Sequence, residues 1–272
     1  MKDTLGDRCK FFEGLQNSSK AMPHLPLFVR LDGKNFHNFT KGLTRPYDSR
    51  LTHCMVETTK YLVDKLQASV GYTQSDEITL LWYVPSYKKK SSYIFDGRAQ
   101  KIVSVTAGMA SAVFTKLISQ SIPEKAHLIP CFDSRTWQVP TLEDMCDVFI
   151  WREDDATKNS ISMAASTYFS HKQLHLKNST DKLDMLFDSG IHWSDYPSSF
   201  KRGTYVQKKL IETVLTDAQW EKIPVNKRPD RNIPVVRHKI IELNLPPVRK
   251  IANLADVLLH CCTPAPKGTT ND

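Results

Sequence analysis

Hydrophobic positions along the chain switch between two rhythms, and the order of the switches sets the expected fold. Residues 25–31, LPLFVRL, form a short apolar run of strand formers, with Pro26 compatible only with its start. After the polar connection DGKNFHNFTKGLTRPY the period changes. Leu51, Cys54, Met55, Leu62 and Leu66 recur at helical spacing in SRLTHCMVETTKYLVDKLQ, and Asp48 or Ser49 stands where a cap is needed. One face of that helix is expected to lie on a sheet. The stretch ASVGYTQSDEITLLWYV reads as a strand at 70–72, a polar turn and a strand at 78–84, a hairpin with acids at its tip. RAQKIVSVTAGMASAVFTKLISQ follows as a helix with Ile102, Val105, Met109, Val113 and Leu117 as its apolar stripe, and HLIPCFDSRTWQV supplies a further strand.

Strand, helix, strand, strand, helix, strand is the order of a ferredoxin-like palm, β-α-β-β-α-β. This is an α+β fold with an antiparallel sheet and both helices on one face. The remainder is less regular. TLEDMCDVFIWREDDATKNSISMAASTYFS is expected to be mostly helical, with Thr141 as cap and Glu143 and Asp144 in the first turn. YVQKKLIETVL reads as a short helix or a strand, and VVRHKIIEL as a strand. Pro224, Pro229, Pro234, Pro246 and Pro247 punctuate this region without an obvious linker, and no repeat period is visible. The expected organisation is a palm core over 1–140 and a helical and β elaboration over 141–272 packed on the same catalytic domain, ending in a frayed PAPKGTTND.

Composition narrows the class. In 272 residues, 40% are apolar and 24% charged, values of a globular chain rather than a disordered one. No uninterrupted apolar stretch is read as long enough to cross a bilayer, and MKDTLGDRCKFFEG carries acids where a secretory signal carries its apolar segment, so no membrane and a cytoplasmic location are expected. Six cysteines without C-x-x-C spacing point to free thiols in a reducing compartment. His171 and His175, four apart in HKQLH, share a helical face, but no ligand signature beside them supports zinc. The formal charge of +8 permits attraction to nucleic acid, and the basic clusters YKKKSS, GRAQK, FKRG, KRPDR and RHK sharpen that reading if several line one groove.

The chemistry-bearing residues are acids. Asp32 follows the first strand, and Asp76 and Glu77 open the hairpin 44 residues later; in the expected fold these loops are neighbours. Two readings stand side by side at this point: ordinary acidic turns, or carboxylates converging on a divalent cation. Converging carboxylates repel unless protonated or compensated, and hard oxygen donors without a His or Cys cluster favour Mg²⁺ completed by substrate phosphates. Gly33 removes a side chain where a metal or phosphate approaches the backbone, and the amides of GKNFH would face a polyphosphate if the connection curls. Two metals would divide the work between the attacking oxygen and the departing pyrophosphate, without a dedicated nucleophilic side chain. Ser75 has no identifiable histidine partner for a triad.

At RLDGKNFHNF, RPYDSR and SDEITLLW, and further at KDTLGDRCK, FDSR, WREDDATKNSI and WSDYPSSFKRGTYV, the sequence resembles the tRNA-His guanylyltransferase family, especially its Thg1-like branch. The likeness runs to about residue 206. It implies a palm resembling those of polymerases and nucleotide cyclases and nucleotide addition in the 3′-to-5′ direction. It implies that Asp32 and Asp76 ligate two Mg²⁺ ions with help from the Gly33 carbonyl, and that Glu77 completes the acidic constellation. Gly33, Lys34, Asn35, Phe36, His37 and Asp48 fall on nucleotide-binding stretches, Ser75, Arg98 and Lys101 on positions associated with the RNA end or activating nucleotide, and Arg30 on a basic residue beside the metal-binding acid. ATP and GTP or another NTP are the implied substrates, tRNA the implied partner, and a homo-tetramer the implied assembly.

One departure shapes the substrate reading. Eukaryotic members carry H-I-N-N-L-Y-N after the W-R segment, whereas this chain has TKNSISM, with Thr157 in place of the first histidine. The expectation is therefore template-dependent repair of 5′-truncated tRNA. The alternatives are guanylate addition to tRNA-His, a nucleotide cyclase, and a non-catalytic basic RNA-binding protein.

Overall fold

The computed structural model describes residues 4–16, 19–87 and 92–268. In chain order the regular elements are α1 (Thr4–Gln16), β1 (Leu27–Gly33), α2 (Phe36–Phe39), α3 (Ser49–Leu66), β2 (Val70–Gln74), β3 (Glu77–Trp82), α4 (Ala99–Ser121), β4 (Phe132–Gln138), α5 (Leu142–Tyr168), α6 (His171–Leu174), α7 (Ser179–Asp188), α8 (Ser198–Arg202), β5 (Thr204–Thr213), α9 (Asp217–Glu221), β6 (Val235–Leu243) and α10 (Leu254–His260). The sheet order is β4-β1-β3-β2-β5-β6 and every pairing is antiparallel. The first four strands form the ferredoxin-like palm read from the sequence. YVQKKLIETVL resolves as strand, and with VVRHKIIEL it widens the sheet.

Alternation along β1 divides the molecule. Leu27, Val29 and Leu31 enter the core under α3 and α4, while Phe28 enters a second core with Met145 and Phe149 of α5 and Val257 and Leu258 of α10. Because both faces are covered, the central strands read as continuous apolar runs. Arg30 and Asp32, in step with Phe28, therefore lie on the α5 face. The α3 helix approaches β2 closely at Gly71, where a Cβ would stand 2.7 Å from the Thr59 methyl. Two helix starts agree with their expected caps: Asp48 accepts from the Arg50 amide, and Thr141 from the Asp144 amide.

Three expectations need correction. The fully buried line of α4 is Ile102, Thr106, Ala110, Phe114 and Ile118, with Val105, Met109, Val113 and Leu117 flanking it. That helix is also long and apolar enough, by length and composition, to cross a membrane. Its buried line nevertheless packs on the sheet in the palm core. Finally, the C-terminal segment is tied down at 265–267: the Ala252 amide donates to Ala265 O and the Lys267 amide to Lys250 O. The cysteines are free, as expected. The KKKS of the basic loop at 88–91 lies outside the described residues.

Candidate active site

Three strands bring charges into register. Asp133 of β4, Asp32 of β1 and Glu77 of β3 form one cross-strand row, and Arg135 and Arg30 with Thr79 form the next. Like charges directly opposite one another are destabilising within each row, and opposite charges along the strands offset this. Arg30 Nη2 reaches Asp32 at 3.3 Å and Glu77 at 3.6 Å, while Arg135 Nη2 reaches Asp133 at 3.4 Å and Asp32 at 3.9 Å. The acidic row ends the sheet beside the β2–β3 turn.

Asp76 occupies that turn. Ser75 holds a positive φ of 49°, uncommon for a residue with a Cβ. The turn is locked to β1 by the Gly33 amide, which donates to Asp76 O at 3.1 Å. Burial raises the Asp76 pKa and the neighbouring Asp32 charge raises it further, while the Ser75 hydroxyl, donating to the carboxylate, opposes both. Asp32 and Asp76 thus meet across 44 residues of sequence. A half-buried carboxylate beside another charge is an unfavourable pair that a divalent cation relieves. The donor set is hard oxygen and suits Mg²⁺ completed by water and phosphate. Among the described residues no three His, Cys, Asp or Glu side chains gather as a ligand set. Glu77, read as part of the acidic constellation, lies in its row opposite Asp32 and is held by Arg152 and Arg30.

The GKNFH connection uses two of its amides within the fold. The Gly33 and Lys34 amides are already bonded, to Asp76 O and to Cys131 O at 2.9 Å. The Asn35, Phe36 and His37 amides have no recorded acceptor among the described residues. Phe36 turns inward and packs with Phe39, Phe114 and Phe132 at ring separations of 5.1, 5.5 and 5.3 Å. A Cβ on Gly33 would stand 2.4 Å from that Phe36 ring. Lys34, Asn35 and His37 are exposed. Lys34 and Asn35 border an open depression of about 390 Å³ continued by Leu128, Ile129 and Cys131, a size in the range of small-molecule sites. Asp48 is buried as the α3 cap, and the Arg50 guanidinium forks onto both its oxygens. Those bonds draw its pKa down from the ordinary 3.8 to about 2.

Arg98 and Lys101 do not join the acids. They open α4 near Lys20 and Ala21, and two turns later the Thr106 hydroxyl bonds the Ser134 hydroxyl of β4. Ser75 therefore stands at one end of the sheet and Arg98 and Lys101 at the other. Conversely, sequence reasoning assigned no role to Arg152 and Glu153. Met145, Phe149, Arg152 and Ala156 share the buried stripe of α5, so a cation on that stripe required a partner within reach. Arg152 finds Glu77, and Asp155 at 3.6 Å; Glu153 accepts from the Val248 amide at 3.0 Å and faces Arg202 at 3.5 Å.

An antiparallel palm with paired carboxylates at its hairpin end defines a class of nucleotidyl-transfer enzymes. The family model of the tRNAHis guanylyltransferase (Thg1) matches residues 6–140. A bacterial Thg1-like protein solved in complex with ATP is 39% identical, with a TM-score of 0.69 over 76% of this chain and 87% of its own. A bacterial Thg1-like protein solved in complex with GTP is 31% identical, with a TM-score of 0.71 over 91% and 95%. The tRNA(His) guanylyltransferase of Saccharomyces cerevisiae is 28% identical over 207 residues, covering 69% of this chain and 84% of its own. The chain belongs to the tRNA-His guanylyltransferase (Thg1) family. It is a nucleotidyltransferase that acts on tRNA.

Proposed function

We propose that the protein adds a guanylate to the 5′ end of tRNA-His. The convergence of Asp32 and Asp76 beside the open DGKNFH connection carries this reading. It is supported by relatives that are named tRNA(His) guanylyltransferase, that of Saccharomyces cerevisiae among them, and by neighbours solved with ATP and with GTP. Asp32, Asp76 and the Gly33 carbonyl would hold two Mg²⁺ ions, which when bound lower the charge on the reacting phosphates and on the leaving pyrophosphate.

The chemistry then needs positioning rather than a nucleophilic side chain. A 5′-phosphate oxygen of the RNA displaces pyrophosphate from ATP, forming an adenylylated end. The 3′-hydroxyl of GTP attacks that 5′ phosphorus, AMP leaves, and the hydroxyl proton passes to solvent. Arg30, bridging Asp32 and Glu77, fixes the acid row during both steps. Lys34, His37 and the amides that open α2 would hold the triphosphate, since both side chains are exposed and those amides have no acceptor among the described residues. Residues 1–140 supply this chemistry as the palm core, and residues 141–272 surround it. The working assembly is a cytoplasmic tetramer, which would let Arg98 and Lys101 of one copy approach Ser75 of another.

A second reading, template-dependent repair of 5′-truncated tRNA, is favoured by one observation. Thr157 stands where eukaryotic guanylyltransferases carry histidine, and its hydroxyl donates to Glu153 O at 2.9 Å within the helix. The deciding experiment incubates the protein with Mg²⁺, ATP and GTP or all four NTPs. The substrates are tRNA-His lacking its extra guanylate and several other tRNAs shortened at the 5′ end. Guanylate addition confined to tRNA-His supports the first reading, and templated addition to every shortened tRNA replaces it with the second. Absence of any addition by folded protein rejects both.

A further inference from the structure

Beside the acids, the flank of α5 carries an aromatic side chain that the chemistry above leaves unused. Trp151 is 56% exposed, although it sits one residue from the Arg152–Glu77 contact. Other indoles are engaged: Trp82 donates to Leu66 O, Trp193 to Ser160 Oγ, Trp220 to Pro229 O, and Trp137 stacks on Phe28 at 5.3 Å. The Trp151 nitrogen donates to none of the described residues. One face of its ring is backed by the Arg152 guanidinium at 4.7 Å. Arg152 is itself only 3% exposed and fixed by Glu77 and Asp155, so the cation behind the ring cannot swing away.

The placement matters as much as the exposure. Helical geometry puts Arg152, Asp155 and Trp151 on the flank of α5 turned toward β1 and β4, because Glu153 on the opposite flank reaches Arg202 and Val248. On that side stand Arg30, Asp32 and the half-exposed Arg135. Exposed Lys158, two turns along α5, has no recorded partner among the described residues. A planar indole with one face cation-backed and the other open, with the exposed Lys158 two turns away, is an arrangement that binds an unpaired base and its phosphate.

We propose that Trp151 is a stacking platform for an unpaired nucleobase, and that the base is the terminal one of the RNA whose 5′ end is presented to Asp32 and Asp76. The inference rests on the tRNA-end reading and adds the means by which the frayed end is held. Stacking on an aromatic side chain is sequence-tolerant, which suits an end that changes identity with each addition.

The test uses full-length protein and the variants Trp151→Phe, Trp151→Leu and Trp151→Ala, each first checked for an unchanged melting temperature. KM and kcat are measured for tRNA, ATP and GTP, and binding is followed separately by tryptophan emission during titration with tRNA in the absence of nucleotide. In W151A the KM for tRNA should rise by about 5- to 150-fold, with kcat at saturating tRNA within about twofold. W151L should resemble W151A and W151F the parent, since only phenylalanine keeps the aromatic face. The tRNA-dependent quenching should shrink in W151F because the reporting ring is gone. A rise in the KM for ATP or GTP alone would move the base from the RNA to the free nucleotide and overturn the assignment. Unchanged tRNA affinity in W151A, or W151L behaving like W151F, would overturn the platform itself. If the parent binds tRNA with Trp151-dependent quenching yet adds nothing, the functional reading fails and the platform stands.

Discussion

At Asp76 one carboxylate is both half-buried and adjacent to the Asp32 charge, so folding and chemistry pull against each other there. Replacing it by the neutral amide in Asp76→Asn removes the penalty and the proposed metal ligand together. Without divalent cation, D76N should melt no lower than the parent; Mg²⁺ should raise the melting temperature of the parent and not of D76N. Nucleotide addition should fall by about a thousandfold or more, the scale of losing several kcal/mol of charge compensation. Thermal melting with and without Mg²⁺, beside product analysis, checks all three, and a large loss of stability in D76N would show the acid to be a structural one. Arg152 makes a complementary case. Arg152→Ala leaves Glu77 with one cation fewer in a partly dry site, and about 3–5 kcal/mol of destabilisation is expected. The double variant R152M/E77M, lacking both charges, should recover a good part of it. Denaturant unfolding of the parent, R152M, E77M and R152M/E77M measures the coupling, and simple additivity would mean that the contact is not a pair.

At the scale of elements, the α3 cap gives a pH signature with a definite sign. The Asp48 carboxylate is held below its ordinary value by the Arg50 fork and the capped amides, so its contribution is complete above about pH 4 and is lost as pH falls through about 2. Asp48→Ala should cost about 1 kcal/mol or somewhat more near neutrality and should flatten acid unfolding between those two values. Parallel acid titrations by circular dichroism read this out, and identical acid limbs would remove Asp48 as a stabilising group. Caps such as this one were legible because capping is local: Asp48 before α3 and Thr141 before α5 need only the first turn that follows. The burial line of α4 was not. Its apolar residues run nearly all round the helix, so periodicity cannot choose among neighbouring stripes. Contact with the sheet selects the line containing the small Thr106 and Ala110, which lets the helix come close, with Phe114 completing the aromatic cluster under Phe36. Likewise YVQKKLIETVL reads either way alone, and pairing with β2 and β6 makes it a strand.

Across the whole molecule, the acids were visible as a local pattern, D-G after a strand and S-D-E at a hairpin, whereas the Arg152–Glu77 tie and the separation of Arg98 and Lys101 from Ser75 depend on tertiary placement that spacing does not encode. The same long view exposes a feature of the sheet. Strand β5 pairs β2 only through Gln207 but continues with β6 to Thr213, so a two-stranded ribbon projects beyond the sheet, at the end remote from Asp32. Six residues of strand reach about 20 Å. On that ribbon Lys209 stands directly opposite Lys239, and Arg237 follows on the same face. None of the three has an ion pair or side-chain hydrogen bond recorded among the described residues. Opposed like charges weaken a ribbon in isolation, and a polyanion running from the acids toward the ribbon removes the conflict. Each phosphate contact contributes about 0.7–0.9 to the slope of log affinity against log salt. The triple variant K209Q/R237Q/K239Q should therefore bind tRNA with a slope shallower by about 2–3, while kcat at saturating tRNA stays within about twofold. Binding isotherms over a series of salt concentrations decide it: an unchanged slope would show that the +8 surface meets RNA elsewhere, and a lost kcat would place the ribbon in the chemistry rather than in the grip on a long substrate.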